Sequence, residues 1–334
     1  MTKDLRNNFV LDKFYIISFC LLIFTFVSFH WTKIADATEP EKTIKFPSKP
    51  IKIIVPAGAS GSLGTEVRMI APFFKKNLGI APILEYVTGA EGIIAYNKFY
   101  QEKANGYTIA YFSLASAVTL ELTRESAKYV VKNLSPIAAW NVKNQILGVH
   151  PDSWKTFAEF LSDGKKRKIS IGGIGGISIL HTYLMESALG IKINFVPYDA
   201  SAEAIAAVAG KHLDAVITYT STPMPMIRAG KLRAIAVLSL KPDPIVPEVP
   251  NLKDLGHGDV PVLPAYGMFA APPNTSKEIV AIFEKAVRNS TADPEFKKLA
   301  DNIGIAVEFK SSDELNGLIS ENYEILNKYK QFIK

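Results

Sequence analysis

Cysteine is almost absent from this chain: one in 334 residues, Cys20, inside an apolar run near the start. Without a second cysteine there is no internal disulfide, so a buried apolar core must hold the fold together. A chain of this length supplies such a core, as two domains. Long hydrophobic runs are scarce as well. "FYIISFCLLIFTFVSF", Phe14 to Phe29, stands out, and its 16 residues fall short of the roughly 20 that span a bilayer. Lys3, Arg6 and Lys13 precede it, and "HWTKIADAT" follows with Ala35 and Ala37 in an A-x-A arrangement. Residues 1–37 therefore read as a secretory signal peptide cut after Ala37; the rival reading is an uncleaved membrane anchor. Phe19, just before Cys20, is too bulky for a lipoprotein processing site.

Strong charge of either sign is also missing. The net charge is +6, and because the leader carries four Lys/Arg and three Asp/Glu, the remainder holds +5. The one basic run, "KKRK" at Lys165 to Lys168, has no interleaved aromatics and reads as a solvated turn, so no nucleic-acid partner is expected. A mildly positive balance suits a small anion. His150, His181, His212 and His257 are scattered without ligand spacing, so no metal is expected. Ser60, in "GASGS", misses the last glycine of G-x-S-x-G and has no His–Asp partner by spacing. No catalytic residue and no cofactor are assigned.

What the chain does have is alternation. "PIKIIVP" reads as a buried strand, "TEVRMIAPFFKKNLG" as a helix with an awkward Pro72, "APILEYV" as a strand, "GIIAYNKFYQEKA" as a helix and "GYTIAYFS" as a strand. The layout returns from "KISIGG" to "DAVITYT", with Ser178 placed to cap a helix and Gly190 to end it. Strands alternating with helices imply parallel βαβ units. A Pro- and Gly-dense connection from Pro242 to Pro264 follows, then a strand at "YGMFAAP" and helices to the end, the last capped by Ser311 or Ser312 with Glu314. The second unit interrupts a chain whose final strand and helices rejoin the first. Lobe one is therefore expected over 44–143 plus 262–334, and lobe two over 144–261.

Each unit opens with a strand, a Gly/Ser loop and a helix. Loop amides and a helix N-terminus together favour a carboxylate or phosphate. The plainer alternative is that each glycine merely relieves a tight turn. Backbone N–H groups and the hydroxyls of Ser60, Ser62 and Ser178 are the expected grip. A dinucleotide site at Gly173–Ser178 is the competing reading, since "GGIGGIS" follows a strand, opens a helix and has Asp199 at the end of the next strand. The third glycine position is Ser178, so that fingerprint is incomplete.

Across nearly the whole chain, from about Phe46, the sequence resembles the substrate-binding proteins of tripartite tricarboxylate transporters, the Bug or TctC-type receptors. The matching pieces are "FPSKPIKIIVPAGASGS", "GYTI", "LSPIA", "GGISILH", "VPYDAS", "AGKLRAIAV", "PEVPNLKDLG" and "YGMFAAPPNTS". The resemblance implies an α/β, two-lobed periplasmic-binding-protein fold (type II-like), hinged, each lobe a βαβ-based sheet flanked by helices. It also implies a periplasmic location, a small organic anion as ligand, membrane transporter subunits as partners and a monomeric receptor. Carried over, the first loop is Ala57, Gly58, Ala59, Ser60, Gly61, Ser62, Leu63 and Gly64. The second includes Gly173, Gly175, Gly176, Ile177 and Ser178, with His181, Tyr198 and Ser201 at matching positions. Ser113, where the third strand ends, and Thr218 complete the candidate ligand-binding set. The chain also departs from the family pattern. Gly64 stands where the family has Asp, "ENRPGAGG" has become "EYVTGAEG", and the family "FD" has become Ile217-Thr218. These losses leave fewer acids near the mouth.

Overall fold

The computed structural model describes residues 46–174, 177–198 and 200–329. The leader, Gly175, Gly176 and Asp199 lie outside the described residues. Strand β1, Lys52–Val55, leads into helix α1, Ser62–Leu78. Next come β2 (Ile83–Tyr86), α2 (Ile93–Tyr100), β3 (Thr108–Ser113) and α3 (Leu114–Thr123). Strands β4 (Ser135–Lys143) and β5 (Gln145–Val149) follow, then α4 (Phe157–Gly164), β6 (Lys168–Gly173), α5 (Ile177–Leu189) and β7 (Lys192–Pro197). Helix α6 (Ser201–Ala209), β8 (Ala215–Tyr219), α7 (Met224–Arg228) and β9 (Arg233–Leu238) lead to an irregular connection. The chain ends with β10 (Ala265–Ala271), α8 (Lys277–Ala292), α9 (Pro294–Asn302), β11 (Ala306–Lys310) and α10 (Ser312–Tyr329).

These strands make two mixed sheets. The first has the order β11-β4-β10-β3-β1-β2 and the second β7-β6-β8-β5-β9. The βαβ units pair in parallel, β2 and β3 on β1, and β7 and β8 on β6. Antiparallel neighbours extend both sheets: β10 joins β3 and β4, and β5 joins β8 and β9. The chain enters the second sheet through a single residue, Asn144, and returns through the irregular connection between β9 and β10. Strands β4 and β5, helices α3 and α4, and strand β11 were not anticipated from sequence.

Helix ends follow their chemistry. Gly79 ends α1 at φ 77°, with Lys75 and Lys76 in the last turn, where cations suit the helix dipole. Pro72 lies inside α1 without ending it. Ser311 and Glu314 form the reciprocal capping box of α10: the Ser311 N–H donates to the Glu314 carboxylate at 2.8 Å, and the Glu314 N–H to Ser311 Oγ at 3.2 Å. Ser178 is a correction. Helix α5 already includes Ile177, so Ser178 sits within its first turn and does not cap it.

The first loop is shorter than the sequence suggested, because α1 begins at Ser62. The Gly61 N–H donates to Gly58 O at 3.0 Å and the Thr65 N–H to Gly61 O at 2.8 Å, curling the loop under the helix. Gly64 then faces that loop. A Cβ there would collide with Gly58 O and meet Ala59 O at 2.8 Å. The close approach of loop and helix explains why no side chain stands at this position. Two residues further, Glu66 is buried and accepts from Tyr111 Oη at 2.7 Å, Asn141 Nδ2 at 3.0 Å and Lys143 Nζ at 2.9 Å. Burial alone would raise its pKa, but the Lys143 charge and these hydrogen bonds outweigh burial and hold it below the ordinary 4.5. Restoring the family residue by Gly64→Asp is expected to destabilise the protein by about 1–3 kcal/mol through overpacking. Urea unfolding checks this, and a variant as stable as the parent contradicts the packing described.

Candidate ligand-binding site

A cavity of about 280 Å³ opens where the two sheets meet, lined from the first-sheet side by Glu91, Ser116, Thr119, Leu120, Thr123 and Arg124. From the second-sheet side come Gln145, Ile174, Ile177, Ser178, Ser201, Thr218 and Tyr219. Two helices begin at its wall, α5 at Ile177 and α6 at Ser201. A helix N-terminus presents first-turn N–H groups without intrahelical acceptors and the positive end of the dipole. Arg124 follows the C-terminus of α3, its N–H bonded to Leu120 O at 2.9 Å. Its guanidinium lies 3.7 Å from Glu91 Oε1 and makes, among the described residues, a long 3.5 Å bond to Thr123 O, so most of its five donors remain available there.

The hydroxyls are held in place. Thr218 Oγ1 donates to Ser201 Oγ at 3.3 Å. Gln145 Nε2 donates to Ser178 Oγ at 2.9 Å, while Gln145 Oε1 lies 2.7 Å from His181 Nδ1. The Leu263 N–H donates to His181 Nε2 at 3.0 Å. An amide N–H can only donate, so Nε2 accepts and the proton sits on Nδ1, facing Gln145. This relay runs from the irregular connection through His181 and Gln145 to the cavity wall. His181 is fully buried, and burial pushes its pKa down to about 4. Protonation would also put a second N–H against the Leu263 amide.

The other candidate residues separate into groups. Ser60 and Ser62 line a different cavity of about 200 Å³, with Glu66, Lys143, Thr220 and Ser221. Ser62 Oγ donates to Glu66 Oε1 at 2.8 Å. Ala57, Gly58, Ala59 and Gly61 form the loop beside it, and Leu63 and Gly64 belong to α1. The two loops thus do not share a cavity wall among the described residues. Ser113 is buried behind Ser116, its Oγ 3.2 Å from Ser116 Oγ. Gly173 permits close approach, since a Cβ there would meet Ser178 Cβ at 2.9 Å and Ile217 O at 3.0 Å. Tyr198 packs on Ala204, Ile205 and Val208, and its N–H donates to Gly173 O at 3.0 Å. Neither Tyr198 nor His181 reaches the cavity. Gly175 and Gly176 fall outside the described residues.

Sequence reasoning missed the wall contributed by α3. Its signal was present: Ser116, Thr119 and Thr123 recur at helical spacing within an otherwise apolar stretch, a polar stripe down one face. Among the described residues, no group of three or more His, Cys, Asp or Glu is placed to hold a metal. None of the described helices is long and apolar enough to cross a membrane.

The two-sheet α/β architecture, with a hydroxyl-bearing cavity at the seam, defines a two-lobed solute-binding fold. The family model for the tripartite tricarboxylate transporter family receptor matches residues 67–334, and the chain belongs to this family of solute receptors. It is 27% identical over 282 residues to a UPF0065 protein of Bordetella pertussis, covering 83% of this chain and 87% of that protein. A ligand-free TctC solute-binding protein from Polaromonas superposes with a TM-score of 0.76 at 24% identity, covering 86% of this chain and 99% of that one. MatC from Rhodopseudomonas palustris, solved with bound malate, superposes at 0.65 and 20% identity, covering 86% and 100%.

His181 yields a pH prediction. In the unfolded chain it takes up a proton near 6.5, whereas in the fold it resists until about 4. Its contribution is therefore complete above pH 6.5 and lost as pH falls from there toward 4, by about 3 kcal/mol. Thermal unfolding from pH 7.5 to 4 should show this decline, and a His181→Gln variant should show a shallower one. Equal slopes would remove His181 as the cause.

Proposed function

We propose that this chain is a periplasmic receptor that captures a small organic carboxylate in the cavity between its sheets and passes it, unchanged, to the membrane subunits of a tripartite tricarboxylate transporter. One observation carries the reading: two helix N-termini and the guanidinium of Arg124 converge on a single hydroxyl-lined cavity at the seam. Oriented dipoles, hydroxyl donors and one flexible cation are what a carboxylate requires. Two other cavities beside the crossing between the sheets serve an anion less well. One, of about 530 Å³, carries Glu308, Glu314 and Glu321 against Lys241 and Lys310. In the cavity beside the first loop, Lys143 is already held by buried Glu66.

In this reading the receptor is monomeric, residues 1–37 are a leader removed near Ala37, and the lobes are 44–143 plus 262–334, and 144–261. Two features argue against catalysis. Ser178 is bonded to an amide rather than a base, and both ring nitrogens of His181 are committed to structural partners. A cavity of about 280 Å³ suits a small acid better than a dinucleotide. The bound malate of MatC is a carboxylate held by the same fold.

A thermal-shift screen of mono-, di- and tricarboxylates tests this. An acid at 100 times its dissociation constant should stabilise the protein by about 2.7 kcal/mol. Calorimetry with Arg124→Ala should show a loss of about 10- to 100-fold, the value of a charge-assisted hydrogen bond, and Ser178→Ala a smaller loss. Every acid should be recovered unaltered. Stabilisation by sugars or cationic amines alone, or turnover of any acid, would overturn the proposal.

A further inference from the structure

Four consecutive residues, Gly89, Ala90, Glu91 and Gly92, have positive φ, at 115°, 47°, 57° and 101°. Glycine accepts this region freely, whereas Ala90 and Glu91 crowd their Cβ atoms against the backbone. The turn is fixed from both ends. A Cβ on Gly92 would meet Pro56 Cβ at 3.1 Å and the Tyr96 ring at 3.3 Å, and one on Gly89 would meet Ile94 Cδ1 at 2.6 Å. A strained side-chain-bearing residue persists only where its surroundings over-determine it, and such residues gather at ligand sites. Here the strained turn presents Glu91 to the cavity wall, 3.7 Å from Arg124.

The charge balance of the cavity gives that position a meaning. Arg124 contributes one positive charge and Glu91 one negative, and the remaining lining groups are hydroxyls, one amide and apolar carbon. Among the described residues the wall is therefore neutral overall. A singly charged carboxylate pairs with Arg124 and leaves Glu91 as the one excess negative charge, while a dicarboxylate leaves a second negative charge that Glu91 repels. At 3.7 Å the Glu91–Arg124 contact is longer than a hydrogen bond, so Glu91 oxygens stay open to a donor.

We propose that Glu91 is a specificity-determining residue that restricts the cavity to singly charged carboxylates and favours those carrying a hydroxyl or ammonium donor. This rests on the receptor reading above.

Calorimetry on the parent and on Glu91→Gln, with butyrate, 3-hydroxybutyrate and succinate as matched four-carbon probes, tests the inference. The parent should bind 3-hydroxybutyrate more tightly than butyrate, and at least ten-fold more tightly than succinate. Glu91→Gln should shift the 3-hydroxybutyrate-to-succinate preference toward succinate by ten-fold or more. Glu91→Gly should shift it likewise and melt about 2–4 °C above Glu91→Gln, because glycine accepts the left-handed backbone. A parent that prefers succinate, or a ratio unchanged in both variants, overturns the inference while leaving carboxylate capture intact. Binding of none of the three probes also counts against it, and failure of every acid in the wider screen overturns the receptor reading as well.

Discussion

Three consecutive side chains govern how the two halves of this molecule are joined. Lys143 ends β4 of the first sheet and is held by the buried carboxylate of Glu66 at 2.9 Å. Asn144 is the crossing residue, and its amide reaches Asp243 Oδ2 at 2.9 Å in the returning connection. Gln145 opens the second sheet and is bonded to Ser178 and His181. Each crossing is thereby tied to the other, since Leu263 in the return is bonded to His181. Removing one partner from a buried charge pair such as Glu66–Lys143 typically costs about 3–5 kcal/mol. The crossover is therefore a stiff joint whose polar groups are satisfied, and the cavity lies directly beside it.

In the proposed receptor the cavity works by arrangement rather than by excess charge. Helix N-termini supply fixed partial charges that need no counterion and no side-chain ordering. Arg124 supplies a full charge, but Glu91 cancels it at a distance. Such a wall attracts an anion mainly after desolvation, when hydrogen-bond geometry counts for more than long-range field. The protein's modest overall positive charge adds to approach and not to selectivity.

Much of this was legible in the sequence, for reasons tied to particular residues. The parallel units were readable because "KIIV", "TIAYFS" and "KISIGG" are short apolar runs that alternate with stretches of helical periodicity. Gly79, Gly190 and Ser311 mark helix ends by local chemistry alone. Strands β4 and β5 were invisible because "SPIAAWNVKNQILGV" is nearly continuous apolar sequence broken only by polar residues at the crossing, and its division depends on partners far along the chain. Of the residues named from sequence, Ser178, Ser201 and Thr218 line this cavity. Glu91 and Arg124 were not, because one occupies a turn whose backbone conformation no propensity favours and the other follows a helix that was not recognised.

Helix α5 carries two loads at once. Its first turn faces the cavity, yet Ile177, Leu180 and Leu184 belong to the same buried apolar cluster as Phe112, Val142 and Tyr266 of the first sheet. Any separation of the sheets must wet those side chains, at about 1.5–3 kcal/mol for each that becomes fully exposed. Access to the cavity is thus governed by an apolar latch set beside a polar joint, and the two respond differently to conditions. Salt acts little on the joint, whose charge pair is buried, whereas cooling weakens the latch, because the hydrophobic contribution fades as temperature falls. The free energy of parting the sheets should accordingly shrink toward the cold end of the working range, where the latch is weakest.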